Sequence, residues 1–133
     1  MEKSLFEKIA DREIPAYIVD ETDEYMAFLD IHPACFGQTL VIPKKYHDSY
    51  VFNNDAEFLN SFMEYVRKIA KLLDTKLGSS RCVLMFEGLG VNHLHAKLFP
   101  LIDPQAQENG INFRQTAPLE ENLANEILSK LKS

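Results

Sequence analysis

The chain has 133 residues, a formal net charge of −6 and a hydrophobic share of 46%, which suits one domain over residues 1–133 with its own core. No apolar run approaches the ~20 residues that span a bilayer, and the acidic balance argues against a surface for nucleic-acid polymers, which needs a basic patch. Cys35 and Cys82 lie too far apart to suggest a disulfide framework and read as reduced thiols of a cytoplasmic protein.

The first eight residues are polar and helix-like, without a signal-peptide pattern, and 5–10 reads as a short helix. Residues 16–20 and 24–31 predict two strands, with Glu21-Thr22-Asp23 as the hairpin turn. A loop at 33–38 leads to a third strand, 39–42, stopped by Pro43. Residues 46–52 are irregular or a single helical turn. Asn53 or Asn54 is placed to cap a long helix over 55–77. Its Phe58, Phe62, Val66, Ile69 and Leu73 step by three or four, and Leu59, Met63 and Ala70 widen the stripe. Gly78 is a natural stop. Residues 81–87 and 91–99 predict a fourth and a fifth strand, 102–118 a polar loop, and 119–131 a closing helix with Leu123, Ile127 and Leu131 on one face. The order of elements is that of an α+β fold with one five-stranded sheet, one long helix and short terminal helices.

Within the fifth strand, His93, His95 and Lys97 alternate with Leu94, Ala96 and Leu98. Successive strand side chains point to opposite faces, so the three basic residues share one face while the apolar residues bury on the other. Gly88 and Gly90 precede them and allow backbone amides to approach a ligand, or simply make a tight turn. A basic, imidazole-bearing strand behind such a turn suits one small phosphorylated ligand in a locally positive pocket. Histidines at i and i+2 can also ligate zinc or copper, but no Asp, Glu or Cys on the same strand supplies a third ligand.

Four blocks, in order, resemble the histidine triad family of nucleotide hydrolases and transferases. They are Phe6 to Ala16, Ala27 to Pro33, Gly37 to Lys44, and the alternating stretch 93–99. The last resembles the family signature, His-x-His-x-His followed by two apolar residues. Lys97 stands where the third histidine is usual, Gln38 where many members have a further histidine, and Phe86 where an asparagine is common. The turn before His93 is shortened. The Cys-x-x-Cys of zinc-containing members is absent, so no structural zinc and no cofactor are expected.

The resemblance implies an antiparallel five-stranded sheet and a homodimer joined through the long helix and the fourth strand. His95 would attack an α-phosphate and carry a transient nucleotidyl group, its Nδ1–H held by the backbone carbonyl of His93. His93 would be a structural or phosphate-side neighbour, and Lys97 a point charge on phosphate that gives up its proton reluctantly. Gln38 would hydrogen-bond near His95. Asp30 would accept from ribose hydroxyls or cap its own turn. Ile9, Ile14, Phe28 and Ile31 would form the base slot, and Gly88 and Gly90 would turn amides to phosphate. The implied partner is a nucleotide or nucleotide-conjugate substrate such as a nucleoside phosphoramidate or a dinucleoside polyphosphate, with low-turnover nucleotide binding as the alternative. His32 and His47 read as structural.

Overall fold

The computed structural model describes residues 2–102 and 112–133. Its elements are α1 (Leu5–Ala10), β1 (Ile18–Glu21), β2 (Tyr25–Leu29), β3 (Thr39–Pro43), a 3-10 turn (Val51–Asn53), α2 (Ala56–Leu77), β4 (Cys82–Met85), β5 (Ala96–Pro100) and α3 (Glu121–Lys132). The strands form one antiparallel sheet in the order β1-β2-β3-β5-β4, which leaves β1 and β4 as edges.

Alternation along β2 and β3 divides the core in two. Tyr25, Ala27, Leu29 and Val41 face the long helix, where they meet Phe62, Val66, Ile69 and Leu73 of α2 and Ala124, Ile127 and Leu131 of α3. Met26, Phe28, Leu40 and Ile42 face the other way and are covered by Phe6 and Ile9 of α1. Both faces of the central strands are therefore dry, and every residue of β2 and β3 is buried.

Helix α2 begins one residue later than expected and is capped by Asp55, whose carboxylate accepts from Phe58 N at 2.8 Å. Asn54 instead donates its amide to Asp48 O at 3.0 Å, bracing the turn before the helix. Gly78 ends the helix in the left-handed conformation, φ 77°. The buried stripe lacks Met63, which is exposed, and gains Tyr65, whose hydroxyl donates to Asp20 at 2.8 Å. Phe58 is only half-buried and stacks on His47 with ring centroids 3.7 Å apart. In α3, Ala124 rather than Leu123 completes the buried face, because the small side chain lets the helix approach α2, while Leu123 leans over the 33–38 loop.

Several strands are shorter than expected. β1 starts at Ile18 and carries a bulge before Asp20. Glu21 belongs to it, and the turn is formed by 22–24, where Thr22 Oγ1 accepts from Tyr25 N at 3.0 Å. β3 includes Pro43 as its last residue. β4 stops at Met85, and Phe86 packs toward Phe62. β5 begins only at Ala96, so the histidines precede the regular ladder. The cause lies in the neighbours: Pro43 has no amide to donate at the end of β3, and β4 has already ended. Residues 93 and 94 are tied instead by His93 N to Val91 O and Leu94 N to His47 O, both 2.9 Å. Of the expected loop at 102–118, residues 103–111 lie outside the described residues.

Candidate active site

The site is built where α1 crosses the sheet beside the segment entering β5. Alternation persists through that segment although its first residues lie outside the ladder. Leu94, Ala96 and Leu98 are buried toward α2, and His93 and His95 point toward α1. Phe6 of α1 lies edge-to-face against both imidazoles, with centroids 5.8 Å from His93 and 4.9 Å from His95.

The carbonyl of Pro43 can only accept, so His93 donates from Nε2 to it at 2.8 Å. Nδ1 of His93 is then an acceptor and takes the hydroxyl proton of Ser4 at 2.7 Å. The same Ser4 oxygen accepts from Glu7 N at 3.0 Å, and Glu7 returns a carboxylate oxygen to Ser4 N at 3.0 Å. This capping box fixes the start of α1 to the histidine. With both ring nitrogens engaged, His93 offers no lone pair to a metal, and no cluster of three or more potential ligands occurs among the described residues.

His95 has the opposite arrangement. Its Nδ1–H donates to the backbone carbonyl of His93 at 2.8 Å, leaving Nε2 unprotonated. Burial pushes the pKa of both imidazoles below the usual 6.5 and outweighs the pull of the backbone acceptors; Lys97 acts on His95 in the same direction. His95 thus presents a neutral imidazole with a free lone pair to the adjoining pocket.

That pocket has a volume of about 350 Å³, within the range of small-molecule sites. Ile9, Ile14, Phe28, Asp30, Ile31, Gly90, His95 and Lys97 all line it, as the sequence suggested. Three expected residues do not. His93 lies behind the wall, acting through its carbonyl. Gly88 turns away at φ 64°, where an added Cβ would fall 2.5 Å from Ser49 O, so its role is to let the turn pack closely. Gln38 makes no hydrogen bond to His95. Its amide donates to Asp30 at 2.9 Å and accepts from Ala34 N at 2.6 Å. It forms the partition with a neighbouring cavity of about 390 Å³ between the 33–38 loop and α3, which does not reach His95.

Asp30 is held by two donors, Gln38 on one oxygen and His32 N at 2.8 Å on the other. Each oxygen keeps a second lone pair, so capping the turn and accepting from a ligand are compatible.

Three polar residues line the pocket without having been assigned to it from the sequence. Glu87 accepts from Lys97 Nζ at 2.7 Å, so the expected free cation is paired and the pocket is not the positive one anticipated. Lys97 in turn holds the Glu87 carboxyl below the usual carboxylate range. The pairing depends on how the chain turns after β4 ends at Met85, the partner of Lys97 in the sheet. Gln115 also lines the pocket. It lies on a strap that crosses from Phe113, edge-on to Phe99, to the 31–33 turn. There Thr116 donates twice to Pro33 O and Leu119 N donates to Ile31 O, at 2.8 to 2.9 Å. Nothing local marks that strap, because its role depends on long-range docking. The third is His32, read from the sequence as structural, which instead joins the rim as an exposed side chain. Neither cysteine offers a ready thiolate, since burial pushes Cys35 up to about 11 and Cys82 up to about 12.

A buried imidazole with a free Nε2 over a small pocket, on this sheet, defines a class. The HIT domain family model matches residues 11–102, and the chain belongs to that family. An uncharacterized HIT-like protein of Methanocaldococcus jannaschii is 38% identical over 101 residues, covering 72% of this chain and 77% of that one. Adenosine 5'-monophosphoramidase HNT1 of Saccharomyces cerevisiae is 36% identical over 106 residues, covering 77% of this chain and 65% of that protein. Among solved structures, a HIT-like protein of Bartonella henselae involved in cell-cycle regulation, crystallised with an unknown ligand, superposes with a TM-score of 0.81. It is 29% identical, with 98% of this chain and 94% of that chain covered.

Proposed function

We propose that this HIT protein is a single-domain nucleotide hydrolase or nucleotidyl transferase acting at the α-phosphate of a nucleotide conjugate. The observation that carries the reading is the hydrogen bond from His95 Nδ1 to the His93 carbonyl at 2.8 Å, which leaves Nε2 free beside the pocket. The Nε2 lone pair attacks the α-phosphorus, and the bond to the leaving group breaks. The leaving group departs with that electron pair and takes a proton from water. Water then attacks the phosphorus and gives its proton to the hydroxide left by the first step, the P–N bond breaks, and nucleoside monophosphate and neutral His95 are released. Asp30 faces the ribose, Ile9, Ile14, Phe28 and Ile31 hold the base, and Gly90 lets the turn approach phosphate. Lys97, in the place of the family's third histidine, supplies charge rather than a ready proton. The monophosphoramidase activity named for the yeast relative agrees with a phosphoramidate substrate. No helix among the described residues is long and apolar enough to cross a membrane, and we place the protein in the cytoplasm as a homodimer.

A second reading is nucleotide binding with little turnover, favoured by the engagement of Lys97 by Glu87. Intact-mass analysis after mixing with nucleoside phosphoramidates separates the two. The enzyme reading expects a nucleotidyl adduct that His95→Ala abolishes while AMP or GMP still binds. A folded His95→Ala variant with wild-type turnover removes His95 as nucleophile, and nucleotide binding without adduct or turnover in the wild type selects the second reading.

A further inference from the structure

We infer that Glu87 is a positioning and specificity-determining residue that, through Lys97, limits the negative charge the pocket accepts beyond the α-phosphate. The inference rests on the proposed placement of a nucleotide with its α-phosphate at His95. Glu87 lies two residues past the end of β4, and Lys97 is the second residue of β5, opposite Met85. One carboxylate oxygen takes Lys97 Nζ at 2.7 Å, and the other takes the amide of Leu89 at 3.1 Å. A single side chain therefore fixes both the pocket's lysine and the start of the 88–92 turn. The two side chains are 22% and 30% exposed, so their attraction is only partly screened.

The charges around the pocket make the consequence specific. Among the described lining residues, Lys97 is the sole lysine or arginine, while the lining includes two carboxylates, Glu87, which pairs with it, and Asp30. His95 is neutral, held so by its burial. A monoanionic α-phosphate meets backbone amides and a lysine already shared with Glu87. A β-phosphate would add charge beside that carboxylate with no uncompensated cation to receive it. The pocket accordingly favours conjugates whose leaving group carries no anion next to the α-phosphate, such as amines, over polyphosphates.

The test compares monophosphate with diphosphate by titration calorimetry, using the AMP/ADP and GMP/GDP pairs so that the choice of base does not matter. Wild type should prefer the monophosphate. Glu87→Gln keeps an acceptor for the Leu89 amide but removes the charge, and should raise the diphosphate-to-monophosphate affinity ratio about tenfold. Lys97→Ala bares the carboxylate and should move the ratio the other way, which gives an arm independent of how Glu87→Gln folds. The double variant should return toward wild type. The shifts should shrink as ionic strength approaches about 1 M, where charges are screened within about 3 Å. A purely structural Glu87 would weaken both ligands alike and leave the ratio unmoved, which overturns the inference while leaving the nucleotide reading in place. If wild type binds none of the four nucleotides, the nucleotide reading itself fails, and this one with it.

Discussion

Because a carbonyl only accepts, Pro43 and His93 between them assign opposite tautomers to two imidazoles two residues apart. His93 carries its proton on Nε2 and is a structural strut. His95 carries its proton on Nδ1 and keeps Nε2 for chemistry. Identical residue types thus diverge through their second contacts alone, and Ser4, far away in sequence, completes the assignment. The electrostatics give a prediction with a definite sign. Burial lowers the pKa of both histidines from 6.5, so the unfolded chain takes up protons that the folded protein refuses. Folding stability should therefore be full above about pH 6.5 and fall as the pH drops below it. Adduct formation should stay flat from about pH 8 to about 6.5, because His95 is already neutral there. Rapid-quench adduct rates and urea unfolding across this range check both. A stability rise on acidification through 6.5 would contradict buried neutral imidazoles. The carboxylates of Glu21 and Glu87, held below 4.5, come into play only at lower pH.

At the scale of elements, the segment joining β4 to β5 is where the pattern of the chain and its folded form part company. The alternation of 93–98 correctly separates the buried leucines from the site residues. It cannot reveal that the ladder begins only at Ala96, since that follows from the proline at the end of β3 and the early end of β4. Gly88 is the glycine in this turn that the structure requires, with φ 64° and Ser49 O where a Cβ would go. Gly88→Ala should therefore cost about 1–3 kcal/mol and displace the Glu87–Val91 turn, weakening nucleotide binding. Gly90→Ala, with open space around it, should stay within about 0.5 kcal/mol. Urea denaturation of the two variants decides the matter, and equal stability costs would refute the distinction. The same element-level view explains Gln38. Its place in the third-strand block was legible, but its bonds to Asp30 and Ala34 show a residue that holds the Asp30 carboxylate rather than touching His95.

Over the whole molecule, α2 and α3 cover one face of the sheet, and α1 covers the other beside the pocket. The strap at 113–116 contributes Gln115 to the pocket. Of the two sheet edges, β4 is the apolar one. Leu84 is exposed on it, and Met63 is exposed on α2. An edge of this kind invites pairing with another chain, and we expect two copies to join through β4 with α2 packed across. Light scattering at micromolar concentration should report twice the chain mass, and Leu84→Glu should shift the protein toward monomer. A wild-type monomer under those conditions would rule the arrangement out.

The sequence by itself determined what depends on local periodicity and chemistry. The 3.6-residue stripe made α2, the two-residue alternation put His95 and Lys97 on one face, and the ordered blocks brought Ile9, Ile14, Phe28, Asp30 and Ile31 to one pocket. Only the tertiary structure decided what depends on partners distant along the chain. Ser4 reaches His93 across 89 positions, Glu87 neutralises Lys97 from beyond the end of β4, and the strap brings Gln115 to the pocket. Such contacts are set by how elements pack and leave no period to read, which is why the fold and the face that His95 and Lys97 share could be recognised early and the charge of the pocket could not.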